Sequence, residues 1–277
     1  MTLTQSVILG ITQGITEFLP ISSSGHLILV PAMFGWELQD LSFDVALHLG
    51  TAIAVLLYFW RDWFDMLISL KLDVIDLVSG KLHGMHTLRH PAILLFTLIV
   101  VSIPVGLIGF LLESTVEETF RSPIFVSFML VIISFFMFFA DKYSDVREKK
   151  EKLNFIDYLI ISLSQIVALF PGSSRSGMSI STGLFRGLDR EKAAKFSFLL
   201  ATPIILGASI VKLPDLFSSP SDQIQIMLIG LATSFITGMI SIKWLMFFLK
   251  TKSLKVFVVY RILLGAVILI HYFSYAI

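Results

Sequence analysis

The sequence predicts an all-α, polytopic membrane protein with six transmembrane helices plus two re-entrant helical hairpins, arranged as an inverted-topology repeat. Three observations lead there. Of 277 residues, 56% are hydrophobic and only 15% charged, with a mean hydropathy of +0.87; a soluble domain carries about a quarter charged residues. The apolar runs are long and continuous instead of alternating, which selects helices over barrel strands as the backbone that satisfies itself in lipid. Two apolar segments are broken in the middle by similar Pro, Ser and Gly clusters.

A helical span needs about 20 mostly apolar residues. Segment 2–36 is apolar but interrupted by PISSSGH at 20–26. Proline with Ser and Gly stops one helix and caps the next. Each half is too short to cross, so the segment reads as a re-entrant hairpin. Spans follow at 43–60, 91–112 and 123–140. Segment 155–187 is broken by PGSSRSG at 171–177 and reads as a second hairpin; the last spans are 196–212, 224–249 and 256–275. Residues 61–90 and 141–154 read as loops. VREKKEK at 146–152 is a solvated linker, dividing a first half (1–140) from a second (155–277) inside one membrane domain, 1–277. Met1-Thr-Leu-Thr-Gln lacks the basic region of a cleavable signal peptide, so the first segment is expected to stay.

The charges orient this topology. With the N-terminus on one side, the loops of the opposite side hold sixteen of the 21 lysines and arginines, Arg61, Arg89, Arg147 and Lys250 among them. Positive-inside bias makes that side cytoplasmic and puts both termini outside. The net charge of +1 gives no support to a nucleic-acid partner. Without cysteine there is no disulfide or thiolate chemistry.

The two broken segments align as QGITEFLPISSSG (13–25) and QIVALFPGSSRSG (165–177). The first enters from outside and the second from the cytoplasm, the signature of an inverted repeat. In such folds the half-helix ends meet near the midplane and form the site.

Glu17 and Arg175 are the costly residues there. A charge at the centre of a span costs roughly 2.5–3.5 kcal/mol and marks function by default. Gln13 and Glu17, four apart, share one helix face. They suit a divalent cation or a proton, or else a structural hydrogen bond between the hairpins. Ser22, Ser23 and Ser24 precede the helix that holds His26, and Ser173, Ser174 and Ser176 flank Arg175. Two capped helix N-termini aimed at one point make an anion site, and a guanidinium fork binds phosphate bidentately. Arg175 could equally pair with Glu17 in another state. His26, beside three hydroxyls, is a candidate for chemistry.

Asp44 and His48, four apart, read as interhelical hydrogen bonders or lesser site residues. Lys243 and Arg261 are expected to snorkel toward the cytoplasm. His83, His86 and His90 suggest a metal cluster only weakly. No P-loop, GxGxxG or GxSxG is present.

At these residues the chain resembles the undecaprenyl-diphosphate phosphatase family, also called bacitracin-resistance protein. That family's pattern is [E/Q]xxxE, a histidine after a Ser-rich stretch, and PGxSRSxxT. Here it reads Gln13-Gly-Ile-Thr-Glu17, then Pro20-Ile-Ser-Ser-Ser-Gly-His26, then Pro171-Gly172-Ser-Ser-Arg175-Ser-Gly-Met-Ser179. EFLPISSSGHLIL, FDVALHLGT and GLDREKAAKFSFLLATP are similar too, so the resemblance covers nearly the whole chain. Two positions depart from the commonest form: Gln13 carries one charge fewer than glutamate, and Ser179 keeps threonine's hydroxyl without its methyl.

The resemblance implies a lipid substrate in the bilayer, undecaprenyl diphosphate, cleaved to the monophosphate carrier of cell-wall synthesis. It also implies a divalent cation, Mg²⁺ or Ca²⁺, held by Glu17 and Gln13, and a site open to the outside. The phosphate is expected on Ser22, Ser24, Gly172, Ser173, Ser174, Arg175, Ser176 and Ser179. Ser23 is the first choice of nucleophile, with His26 as nucleophile or acid/base partner, and Glu17 orients the histidine or binds the metal. Type-2 phosphatidic-acid phosphatases also carry Ser-Gly-His, but continue SRx5HxxxD; here Ser181 stands where their histidine would be. The alternative from another class is a flippase of undecaprenyl phosphate, since secondary transporters use inverted repeats. The oligomeric state is left open, a homodimer included.

Overall fold

The computed structural model describes residues 1–79, 89–150, 153–218 and 221–275. His83 and His86 lie outside them. Among the described residues all regular structure is helical. The chain runs through α1 (Leu3–Thr16), α2 (Ser23–Phe34), α3 (Leu41–Tyr58), α4 (Trp60–Val78), α5 (His90–Thr119), α6 (Pro123–Val146) and α7 (Phe155–Leu163). A 3₁₀ turn (Ser164–Leu169) follows, then α8 (Arg175–Phe185), α9 (Arg190–Ser218), α10 (Ser221–Leu249) and α11 (Lys255–Tyr275).

Six of these, α3, α5, α6, α9, α10 and α11, are long and apolar enough to cross a membrane. They coincide with the six spans read from the sequence, so this is a multi-pass membrane protein. α1 has 14 residues, α2 12 and α8 11. At 1.5 Å per residue none reaches the roughly 30 Å of a bilayer core.

One element departs from expectation. Residues 61–90 were expected as a loop, yet α4 is a 19-residue helix. Phe64, Leu67, Ile68 and Ile75 are exposed on it, while Asp73 is buried and binds Arg89. Its four aspartates and one lysine break every long apolar window, so hydropathy passes over a helix whose apolar residues nonetheless recur at helical spacing.

The halves are intertwined. α10 packs on α1 and α3 of the first half, as α5 packs on α7 and α9 of the second, and α6 packs on α11. Small residues let these helices approach closely. A Cβ on Gly14 would stand 2.6 Å from the Ser234 carbonyl oxygen and 2.8 Å from the Gly238 nitrogen, and one on Gly50 would meet Ser234 and Leu231. The ion pairs respect the two sides assigned by charge. Lys195–Asp62 (2.5 Å), Arg190–Asp141 (2.7 Å) and Lys150–Asp157 (2.9 Å) join residues assigned to the cytoplasm. Arg121–Asp44 (3.1 Å) joins two assigned outside.

Candidate active site

Local backbone chemistry builds the site. α1 ends at Thr16, with Glu17 as its C-cap. The chain re-enters helix at Ser23 through Ser22, whose φ is 77°. The second break does the same, through Ser174 with φ 74°. These are the two positive-φ non-glycine residues among those described, and the sequence alignment makes them equivalent. Such a conformation is uncommon outside glycine and gathers at functional sites. Each serine repays it as an N-cap: Ser22 Oγ accepts from the Gly25 amide at 3.3 Å, and Ser174 Oγ from the Gly177 amide at 3.0 Å. The breaks touch. A Cβ on Gly25 would lie 3.4 Å from Gly172 Cα, and Ser176 Oγ donates to the Leu19 carbonyl at 3.3 Å.

Glu17 is the centre, 5% exposed. Its Oε1 accepts from Arg175 Nη2 at 2.7 Å. Its Oε2 accepts from Ser23 Oγ at 2.5 Å and from Gln13 Nε2 at 3.1 Å, and lies 3.5 Å from His48 Nε2. Ser23 and Arg175, the first residues of α2 and α8, are repeat equivalents, and both grip the same carboxylate. At the position equivalent to Glu17 the second half has Leu169, so the first half supplies the acid and the second the base. Arg175 is braced from behind. Its Nη1 donates to the Ser197 carbonyl at 3.0 Å, and Ser197 Oγ is 2.6 Å from Ser179 Oγ, one turn past Arg175.

The other expected residues divide. Ser24 Oγ lies 3.4 Å from Ser22 Oγ, and Ser176 Oγ 3.3 Å from Ser174 Oγ, so both caps keep a second hydroxyl beside them. Ser173 turns away: its hydroxyl binds the Val167 and Phe170 carbonyls within its own turn and is not offered to a phosphate. Ser179 acts on Arg175, as above. His26 does not face Glu17. Its Nδ1 donates to the Ser22 carbonyl at 2.7 Å, and its Nε2 lies 2.7 Å from the Tyr260 hydroxyl. The histidine beside Glu17 is His48, whose Nδ1 donates to the Asp44 carbonyl at 2.7 Å.

Arg261 is the residue that sequence reasoning misplaced. It does not snorkel; it is fully buried. Nη2 donates to the Gly172 carbonyl at 2.9 Å and the Ser173 carbonyl at 3.3 Å, Nη1 to the Pro20 carbonyl at 3.4 Å, and Nε to Ser134 Oγ at 3.1 Å. Pro20 and Gly172 are repeat equivalents, so one guanidinium ties matching carbonyls of both breaks. The signal was available: a charge in an apolar span is functional by default.

One half-buried arginine, Arg175, thus pairs with the buried Glu17 carboxylate beside two helix N-termini, while the fully buried Arg261 holds the carbonyls of both breaks. A guanidinium beside two helix N-termini can take an anion. A divalent cation fits poorly. Both Glu17 oxygens are taken by donors, Arg175 among them, and on the helix face beside Glu17 the buried oxygen without a partner among the described residues is Gln13 Oε1. Mg²⁺ or Ca²⁺ prefers six or more oxygens. Beside the site opens a cavity of about 760 Å³. Ser24, His48, Asp44 and Arg121 form its polar wall, and residues such as Ile103, Phe110 and Ile204 of α5 and α9 its apolar one.

A family model for the bacitracin resistance protein BacA matches residues 6–267. The chain belongs to the BacA family. Relatives named undecaprenyl-diphosphatase are similar over nearly their whole length. That of Pelotomaculum thermopropionicum is 41% identical, covering 98% of this chain and 97% of its own. That of Caldicellulosiruptor bescii is 42% identical over 98% of each, and that of Methanosphaera stadtmanae 38% over 96% of each.

Proposed function

We infer that this chain is a phosphatase that hydrolyses undecaprenyl diphosphate to undecaprenyl phosphate and inorganic phosphate, returning the lipid carrier to cell-wall synthesis and conferring bacitracin resistance. The observation that carries this is the Ser23–Glu17–Arg175 cluster, a hydroxyl and a guanidinium on one buried carboxylate. It sits at two helix N-termini and beside a cavity with one polar and one apolar wall. The diphosphate is an anion that Arg175 and the two helix N-termini can hold, and the apolar wall suits an isoprenoid.

In the mechanism we propose, Arg175 and the amides opening α2 and α8 hold the oxygens of the terminal phosphoryl group, whose transition state calls mainly for positioning and charge stabilisation. Ser23 Oγ bonds to the terminal phosphorus as the bond from that phosphorus to the bridging oxygen breaks. Glu17 Oε2 takes the Ser23 proton and passes it to the departing lipid phosphate. Water then attacks the phosphoserine, giving its proton to Glu17; Glu17 reprotonates Ser23, and phosphate leaves. His26 acts at one remove, holding the Ser22 carbonyl to α11 through Tyr260.

The matched caps at Ser22 and Ser174, and the exchanged packing of α5 and α10, support an inverted repeat with both short-helix pairs re-entrant. The segregated ion pairs support external termini and a cavity open to the outer side. The reading is tested by phosphate release from undecaprenyl diphosphate in detergent. The wild type releases phosphate and Arg175→Ala falls about 100-fold or more; a chain that only moved lipid between leaflets would release none.

No step runs through a metal. In this proposal Mg²⁺ or Ca²⁺ enters as the counter-ion of the diphosphate and is not resident. Chelation is therefore expected to stop turnover while leaving the melting temperature of substrate-free protein unchanged. A metal-induced rise in that temperature, lost in Glu17→Gln, would make the cation a resident ligand of Glu17.

A further inference from the structure

The proposed reaction uses Glu17, Ser23 and Arg175 but leaves the outer half of the polar wall without a role. Arg121 stands there, in the turn between α5 and α6. Its Nη2 donates to Asp44 Oδ2 at 3.1 Å, and Asp44 Oδ1 accepts from Gln39 Nε2 at 2.8 Å. Asp44 is one helical turn, about 6 Å, from His48 on α3, and His48 touches Glu17. Arg121 and Asp44 are only 15% and 13% exposed, and both line the cavity with Ser24 and His48.

Geometry limits what can lie beside Arg121. A lipid diphosphate has two phosphates, and the reacting centre holds the terminal one. The other carries the isoprenoid, whose apolar place is along α5 and α9. It must therefore sit between Glu17 and the apolar wall, where the next cation along the cavity is Arg121. The guanidinium has five donors in a rigid fork and can serve Asp44 and a phosphate oxygen together. The Asp44 carboxylate, held also by Gln39, keeps the fork in place and offsets its charge while the cavity holds no lipid.

Building on the phosphatase reading, we propose that Arg121 binds the phosphate that stays on the lipid, making it a specificity residue shared by substrate and product. Such a contact acts equally before and after cleavage, so it appears in KM and in product affinity, not in kcat.

The test uses the full-length protein in mixed micelles. Wild-type turnover establishes the phosphatase reading first; its absence would defeat that reading and not bear on Arg121 alone. Given turnover, Arg121→Gln is expected to raise KM by about tenfold or more. It should raise the inhibition constant of undecaprenyl phosphate by the same factor and leave inhibition by inorganic phosphate and kcat near wild type. Arg121→Lys should recover most of the loss. Asp44→Asn, which keeps the cation, should leave KM at or below the wild-type value. The proposal is overturned if Arg121→Gln lowers kcat with KM and product affinity unchanged, or if Asp44→Asn reproduces the Arg121→Gln kinetics, since the pair would then be structural.

Discussion

Ser23→Ala is expected to lower kcat by about four orders of magnitude or more, the scale on which loss of a nucleophile acts, while His26→Ala loses about 10- to 100-fold. The difference follows from where the side chains point. Ser23 Oγ is 2.5 Å from the Glu17 carboxylate and occupies the first position of α2. His26, three residues on, faces the other way, to the Ser22 carbonyl and Tyr260. Removing Ser23 deletes the atom that bonds to phosphorus. Removing His26 loosens a cap whose displacement by about an ångström costs rate without changing the chemistry. Steady-state phosphate release from the two purified variants checks this. Equal losses, or a larger one for His26→Ala, would move the nucleophile to the imidazole.

Arg261→Met should destabilise the folded protein by about 3–5 kcal/mol, because each buried acceptor left without a donor costs about 1–3 kcal/mol. The Pro20, Gly172 and Ser173 carbonyls all face that guanidinium, and methionine fills its volume without a single donor. Arg261→Lys keeps the charge and some of the bonds, and should lose less. Thermal unfolding in detergent measures both. A wild-type melting temperature for Arg261→Met would show that the two breaks hold together without the tie.

What was legible in the sequence was whatever hydropathy and cost make visible. The six spans follow from continuous apolar runs, and Glu17 and Arg175 stood out because a charge among apolar residues demands a reason. The serine clusters announced two caps. Which serine does what was not readable: Ser174 caps and Ser173 folds back on its own turn because of single backbone dihedrals that tertiary contact decides. The direction of His26 depends on how α2 is rotated against α11, which no local pattern encodes. α4 was missed because its aspartates interrupt every apolar window. Arg261 was read as snorkelling toward the cytoplasm, yet it lies six residues inside α11 from Lys255, about 9 Å along the helix, and reaches the carbonyls of both breaks.

Acid-quenched trapping of the enzyme on undecaprenyl diphosphate labelled in its terminal phosphate addresses the site most directly. The expected result is acid-stable label on Ser23, absent in Ser23→Ala and strongly reduced in Arg175→Ala. Acid-labile phosphohistidine at His26, or turnover in which heavy-oxygen water enters the phosphate with no protein-bound label at any time, would contradict it.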